Sequence, residues 1–130
     1  MLNTVHYDGP KATPLLIAHG LFGSARNWNV IAKRLSVARP VVVVDMRNHG
    51  ASPWFDTQSY PDMAADLAQV MTEPMHVLGH SMGGKAAMVL ALNHPENLRK
   101  LIVADIAPVA YQHTQMGPLE AMLGVDMAQV

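Results

Sequence analysis

Ser81 lies in Gly79-His80-Ser81-Met82-Gly83, a G-x-S-x-G pentad that follows the apolar run Met75-His76-Val77-Leu78 and precedes Lys85-Ala86-Ala87-Met88-Val89-Leu90-Ala91-Leu92. Strand, tight turn, helix is the order in which a chain presents a serine hydroxyl as a nucleophile, held out on a strained turn. The glycines at 79, 83 and 84 then have a steric purpose. A side chain on either side of the turn would collide with the neighbouring strand or helix, and the serine itself must hold an unfavourable backbone conformation. A serine hydroxyl alone is a weak nucleophile. Acyl chemistry at Ser81 needs a base to take its proton, a carboxylate to orient that base, and N–H donors for the charge that develops on a substrate oxygen.

The elements that must position these groups alternate between strand and helix signals. Pro14-Leu15-Leu16-Ile17-Ala18-His19 and Pro40-Val41-Val42-Val43-Val44-Asp45 are continuous apolar runs and predict central strands buried on both faces. Between them Trp28, Ile31, Ala32 and Leu35 recur at helical spacing, as Met63, Leu67, Val70 and Met71 do before the strand that leads to Ser81. Lys100-Leu101-Ile102-Val103-Ala104-Asp105 predicts a fourth strand, residues 4 to 8 a short edge strand, and Leu119, Met122, Leu123 and Val130 a weak terminal helix interrupted by Gly124. Right-handed crossovers make the strands parallel, so the expected fold class is α/β: an open, mostly parallel sheet flanked by helices. In such sheets the ligand site lies beyond the carboxyl ends of the strands, where His19, Asp45, Ser81 and Asp105 all fall.

Composition narrows the function classes. With 130 residues, half of them hydrophobic, a single domain over 1–130 is expected, with enough chain for a real core. A formal charge of −1 without a basic cluster speaks against nucleic acid and anionic membranes as partners. The absence of cysteine excludes a disulfide framework and a cysteine-based zinc site, and histidine and aspartate do not occur at ligand spacing on one element. No phosphate-loop or dinucleotide fingerprint is present. No metal and no cofactor are therefore expected, and a soluble, cytoplasmic protein is the default.

His19-Gly20-Leu21-Phe22-Gly23-Ser24, Asp45-Met46-Arg47-Asn48-His49-Gly50-Ala51-Ser52-Pro53, Gly79-His80-Ser81-Met82-Gly83-Gly84-Lys85 and Asp105-Ile106-Ala107-Pro108, in that order, resemble the successive signatures of the α/β-hydrolases, most of all the small esterases of the YbfF type. The resemblance implies a minimal α/β-hydrolase domain without a cap and a carboxylesterase that hydrolyses short- to medium-chain acyl esters through a serine acyl-enzyme. It further implies that Leu21 and Met82 supply the backbone N–H groups of an oxyanion hole. Met82 follows the nucleophile at a helix N-terminus, where N–H groups are free. Asp105 resembles the acid of such a triad; neighbouring strands are about 5 Å apart, so a carboxylate at the end of the next strand can orient a base beside Ser81. The alternative for Asp105 is a cap on the Ile106-Ala107-Pro108 turn.

The resemblance stops before the histidine, because the usual C-terminal part with its base is lacking. His94 lies about 20 Å down the helix and His76 about 16 Å back along the strand, at 1.5 and 3.3 Å per residue, and both are too far from Ser81. His6 is remote as well. His80 adjoins Ser81 but points away at a tight turn, His19 shapes its own loop, and the resemblance places His49 on a strand two removed from that of Ser81, in a loop motif with a scaffolding role. His113, eight residues after Asp105, is left as the base by elimination and preserves the chain order Ser, Asp, His; an exposed loop histidine is the open alternative.

A sheet ending at residues 100 to 106 exposes an apolar edge prone to pairing. A homo-oligomer through that edge and the tail carrying Met116, Met122 and Met127 is expected, which would also allow a histidine to act in trans. The competing function is a non-catalytic hydrolase remnant acting as an oligomerising or binding module. Trp54, Phe55 and Tyr60 either line an acyl pocket or anchor their loop to the core.

Overall fold

A computed structural model of the protein describes residues 1–110; His113 and the terminal helix expected near Leu119–Val130 lie outside the described residues. The elements run β1 (Thr4–Tyr7), β2 (Leu15–Ala18), a 3-10 turn (Ala25–Trp28), α1 (Asn29–Leu35), β3 (Val41–Val44), α2 (Tyr60–Val70), β4 (Met75–His80), α3 (Met82–Asn93) and β5 (Leu98–Ala104). They form one five-stranded sheet in the order β1-β3-β2-β4-β5. β2, β3, β4 and β5 pair in parallel, whereas β1 runs antiparallel on β3. The open, mostly parallel α/β sheet read from the sequence is therefore present, and its crossovers carry α1, α2 and α3.

Alternation along the strands divides the interior into two layers. Leu16, Ala18, Val42, Val44 and Val77 face α2 and α3, where Met63, Ala64, Leu67, Ala86, Ala87 and Leu90 complete the larger core. Leu15, Ile17, Val41 and Val43 face the other way onto Ala25 and Ala32. All four residues of β2 and of β3 are buried, which explains why these strands read as unbroken apolar runs.

Local chemistry sets the element boundaries. The Ser59 hydroxyl accepts from the Asp62 amide at 3.2 Å, Pro61 occupies the first turn, and the Asp62 carboxylate sits at the positive end of the helix dipole, so α2 starts where the sequence supplies a cap. The Arg47 guanidinium ties the loop after β3 to α2, donating to both carboxylate oxygens of Asp66 at 2.7 and 3.0 Å. Phe55 lies over that guanidinium at 4.4 Å.

The helical stripe after β2 departs from expectation. A 3-10 turn takes up its first residues, Ala32 is the buried residue of α1, and Ile31 and Leu35 stay 45% and 37% exposed. A seven-residue helix is too short to lay four apolar residues on one face, and the last two instead border clefts. Among the described residues, no helix is long and apolar enough to cross a membrane.

Candidate active site

The chain leaves β4 at His80 and enters α3 at Met82, so the whole reversal falls on Ser81, whose φ of 52° and ψ of −116° lie outside the regions open to most side chains. Its neighbours enforce this. The Ser81 amide donates to the Ala104 carbonyl of β5 at 3.0 Å, and its carbonyl accepts from the Lys85 amide at 3.1 Å. A Cβ on Gly79 would meet the Gly83 carbonyl and the Gly84 Cα, and one on Gly84 would lie 2.8 Å from Ile106. The steric purpose assigned to these glycines is borne out. Although Ser81 occupies the N-cap position of α3, its side chain makes no capping hydrogen bond.

The start of α3 and the loop that carries Leu21 both lie at this turn. Met82 opens α3, and its amide precedes any intrahelical acceptor. The loop after β2 lies against the serine, since a Cβ on Gly20 would come within 3.2 Å of both the Ser81 Cβ and the His80 Nδ1. In that loop the Gly23 amide closes a turn onto the Gly20 carbonyl at 3.0 Å, and the Phe22 amide donates to His49 Nε2 at 3.1 Å. The Leu21 and Met82 amides have no acceptor among the described residues.

Three buried polar residues hold the loop. His19 is 1% exposed; its Nε2 accepts from the Met46 amide at 3.0 Å, so its proton is assigned to Nδ1, which donates to the Gly20 carbonyl at 2.7 Å. Burial pushes the His19 pKa down, with nearby His49 adding to the effect, against the opposing pull of the Gly20 carbonyl and Asp45. His49 repeats the pattern, with Nδ1 on the Arg47 carbonyl at 2.8 Å, and the two rings stand 5.1 Å apart. Both histidines use both ring nitrogens on backbone, in agreement with their expected scaffolding role. His49 also belongs to the loop after β3, which is two strands from β4.

Asp45 is the hub the sequence left unassigned. Its carboxylate accepts from the Ala25 amide at 2.7 Å, the Ala51 amide at 3.0 Å and the Asn3 side-chain amide at 2.9 Å. Gly50, at φ 51°, lets the chain pass directly over that carboxylate, where a Cβ would clash with it. Burial acts to raise the pKa, yet the amide donors of Ala25, Ala51 and Asn3 together with His19 hold it below the usual carboxylate range. A carboxyl whose pKa is depressed by folding contributes stability above its unfolded pKa of about 3.9, and that contribution is lost as pH falls through the folded value. Asp45→Asn is expected to cost about 2 kcal/mol at neutral pH and to flatten the loss of stability below about pH 4, checked by urea denaturation across pH.

Asp105 follows the residue that accepts the Ser81 amide, and at φ 61° it turns the chain away from β5. Its carboxylate is 87% exposed, and its partner among the described residues is the His80 imidazole, with Nε2 to Oδ2 at 3.8 Å. That separation exceeds a direct hydrogen bond, so the carboxylate keeps its acceptor capacity. Ser81, Leu21, Met82 and Asp105 are thus gathered at one end of the sheet. The placement of His80 next to Asp105 went unseen in the sequence: their contact depends on the register of β4 against β5, His80 opposite Ala104. Beside the turn, Leu21, Trp28, Ile31 and His80 line a cleft of about 290 Å3. Trp54 is 77% exposed and is no core anchor, whereas Phe55 stacks on Arg47. Among the described residues, no group of three or more acidic or histidine side chains is arranged to hold a metal ion.

Residues 13–128 match the model of the α/β hydrolase fold family, and the chain belongs to that family. Over 109 residues it is 43% identical to the sn-1-specific diacylglycerol lipase ABHD11 of Xenopus laevis, covering 78% of this chain and 35% of that protein. Esterase YbfF of Escherichia coli (strain K12) is 43% identical over 103 residues, covering 76% of this chain and 41% of that one. A marine microorganism esterase of known structure superposes with a TM-score of 0.88 at 40% identity, covering 98% of this chain and 52% of the other. The chain therefore spans between about a third and a half of the length of these relatives.

Proposed function

We propose that the chain carries the nucleophile and oxyanion site of a serine carboxylesterase acting on short- to medium-chain acyl esters. The backbone of Ser81, forced to positive φ at the mouth of α3 with an uncommitted hydroxyl, is the observation on which this reading rests. The Ser81 Oγ attacks the ester carbonyl as its proton passes to an imidazole, and the negative charge on the tetrahedral oxygen is taken by the Leu21 and Met82 amides. The C–O bond to the alcohol breaks, and the alcohol leaves with the proton. Water, deprotonated by the same imidazole, then releases the acid and restores the serine. The esterase and lipase relatives support this class of reaction. The cleft of about 290 Å3 beside the turn, walled by Leu21, Trp28 and Ile31, supports an acyl group of modest length.

Asp105 is assigned as the carboxylate that orients the base, and His113 as the base, on the strength of their order after Ser81 and of the accessible Asp105 carboxylate. His113→Asn is expected to lower the rate of Ser81 acylation by a fluorophosphonate about 10^3-fold, the range of a lost general base. His80→Gln, prepared in parallel, is expected to change it by less than about tenfold; the reverse result would transfer the role to His80. Pairing of two copies along the edge of β5, and operation in the cytoplasm, belong to the same reading; the seven-residue strand, which among the described residues pairs with β4 alone, supports the former. Sedimentation of the purified chain tests it, and a monomer at all concentrations would refute it.

A further inference from the structure

Of the two amides given the oxyanion role, that of Met82 is set by the helix it opens, whereas that of Leu21 stands in the loop between β2 and the 3-10 turn. The direction of the Leu21 N–H therefore depends on what holds the peptide groups on either side of this residue. A trans peptide points its C=O and its N–H to opposite sides. The Gly20 carbonyl accepts from His19 Nδ1 at 2.7 Å and from the Gly23 amide at 3.0 Å, which turns the Leu21 N–H away from both donors. The following peptide group is held from another loop, because the Phe22 amide donates to His49 Nε2 at 3.1 Å. With both groups fixed, the φ and ψ of Leu21 are fixed as well. Phe22 needs this hold. Its φ of 64° lies in a region that bulky side chains rarely enter, and with 47% of the residue exposed, burial of the ring supplies little of the restraint.

We propose that His49 is a positioning residue of the oxyanion hole, which keeps the Leu21 N–H directed at the tetrahedral oxygen by holding the Phe22 amide. The proposal rests on the role given to Leu21 in the serine mechanism. His49 is 9% exposed and firmly mounted: its own amide donates to the Met46 carbonyl at 3.1 Å, and its carbonyl accepts from the Ser52 amide at 3.1 Å. Two residues further on, the Ala51 amide donates to the Asp45 carboxylate at 3.0 Å. Nδ1 donates to the Arg47 carbonyl at 2.8 Å, so the ring proton is assigned there and Nε2 is left as an acceptor. A ring held in this way reaches from the loop after β3 to the loop after β2, and passes the stiffness of a bonded turn to a residue that no sheet or helix restrains. The contact between Leu21 and the substrate oxygen strengthens as negative charge develops, so a slackened loop raises the barrier to acylation and leaves ground-state binding of the ester nearly unchanged. A purely structural contact would show in stability alone.

Two substitutions in the full chain separate the roles of the two ring nitrogens. The side-chain amide of asparagine lies as many bonds from Cβ as Nδ1 does, so His49→Asn keeps a donor for the Arg47 carbonyl and loses the acceptor of the Phe22 amide. The amide oxygen of glutamine lies as far out as Nε2, so His49→Gln does the reverse. His49→Asn is expected to lower kcat for p-nitrophenyl butyrate about 10- to 100-fold, less than the roughly 10^2- to 10^3-fold cost of deleting an oxyanion donor, with KM changed by less than about threefold. His49→Gln should stay within about fivefold of the parent in both constants. Rates are compared at matched folded fraction from urea denaturation. Deuterium exchange of the Phe22 amide, at least about tenfold faster in His49→Asn than in His49→Gln, checks that the intended hydrogen bond is the one removed. A rise in KM in place of the fall in kcat, or equal rates or equal Phe22 exchange in the two variants, would overturn the proposal and leave the serine mechanism standing. A parent without esterase activity would remove the serine mechanism itself, and the oxyanion role of the loop with it.

Discussion

Ser81→Ala is expected to lower kcat/KM for p-nitrophenyl esters by on the order of 10^6, down to the residual rate that binding and oxyanion donors supply without a nucleophile. The fold should be untouched. The Ser81 side chain makes no capping bond to α3, and the contacts that set its backbone run through its own amide and carbonyl, to Ala104 and Lys85, which alanine retains. Ser81→Gly sharpens the contrast. At φ 52° and ψ −116° a Cβ is strained and glycine is not, so this variant should be as inactive as alanine yet about 1 kcal/mol more stable. Activity and stability moving in opposite directions at one residue is the mark of a conformation kept for chemistry rather than for folding. The checks are initial rates on the ester series and urea midpoints for the three proteins. Hydrolysis by Ser81→Ala at the parent rate would remove the serine mechanism, and with it the roles given to Leu21, Met82 and Asp105.

The sequence shows the strands because their burial is two-sided. Val41–Val44 and Leu15–Ala18 contribute one side chain in two to each core layer, and that leaves no polar positions to confuse the pattern. Helix α2 is legible through its Ser59 cap, and the Ser81 turn through glycines that have no other use. Less visible is everything decided by packing across the sheet. Ile31 and Leu35 carry helical spacing whether or not anything covers them, and here they border clefts. Asp45 reads as one more acid at a strand end; only the arrival of Asn3, Ala25 and Ala51 from three separate segments makes it a hub. The scaffolding role expected of His19 and His49 has a simple means: each bridges a backbone N–H and a backbone carbonyl through its two ring nitrogens. The proximity of His80 to Asp105 is decided by strand register, which a single chain of letters does not record.

Gly83→Ala is expected to be far more damaging than the same single-methyl change one residue further on, at Gly84. Its Cβ would fall 2.5 Å from the His19 carbonyl oxygen and 2.7 Å from the Ala18 carbonyl carbon, where real Cβ atoms do not come closer than about 3 Å. The obstacle is backbone, and it cannot retreat: β2 is hydrogen-bonded on one side to β3 and on the other to β4. Helix α3 must lift from the sheet instead, at a cost of about 3 kcal/mol, the upper end for overpacking. Because Met82 and Gly83 are consecutive, the same movement carries the Met82 amide away from the Leu21 loop, so acylation should fall more than the loss of folded protein explains. Gly84→Ala is the control, since the closest atom to its Cβ is Ile106 Cγ2 at 2.8 Å, a side chain that can rotate aside. Urea denaturation should therefore rank parent, Gly84→Ala and Gly83→Ala in decreasing stability, with fluorophosphonate labelling at matched folded fraction falling in the same order. Equal stability of the two variants would mean that the close seat of α3 on β2 is not what holds the serine turn in place.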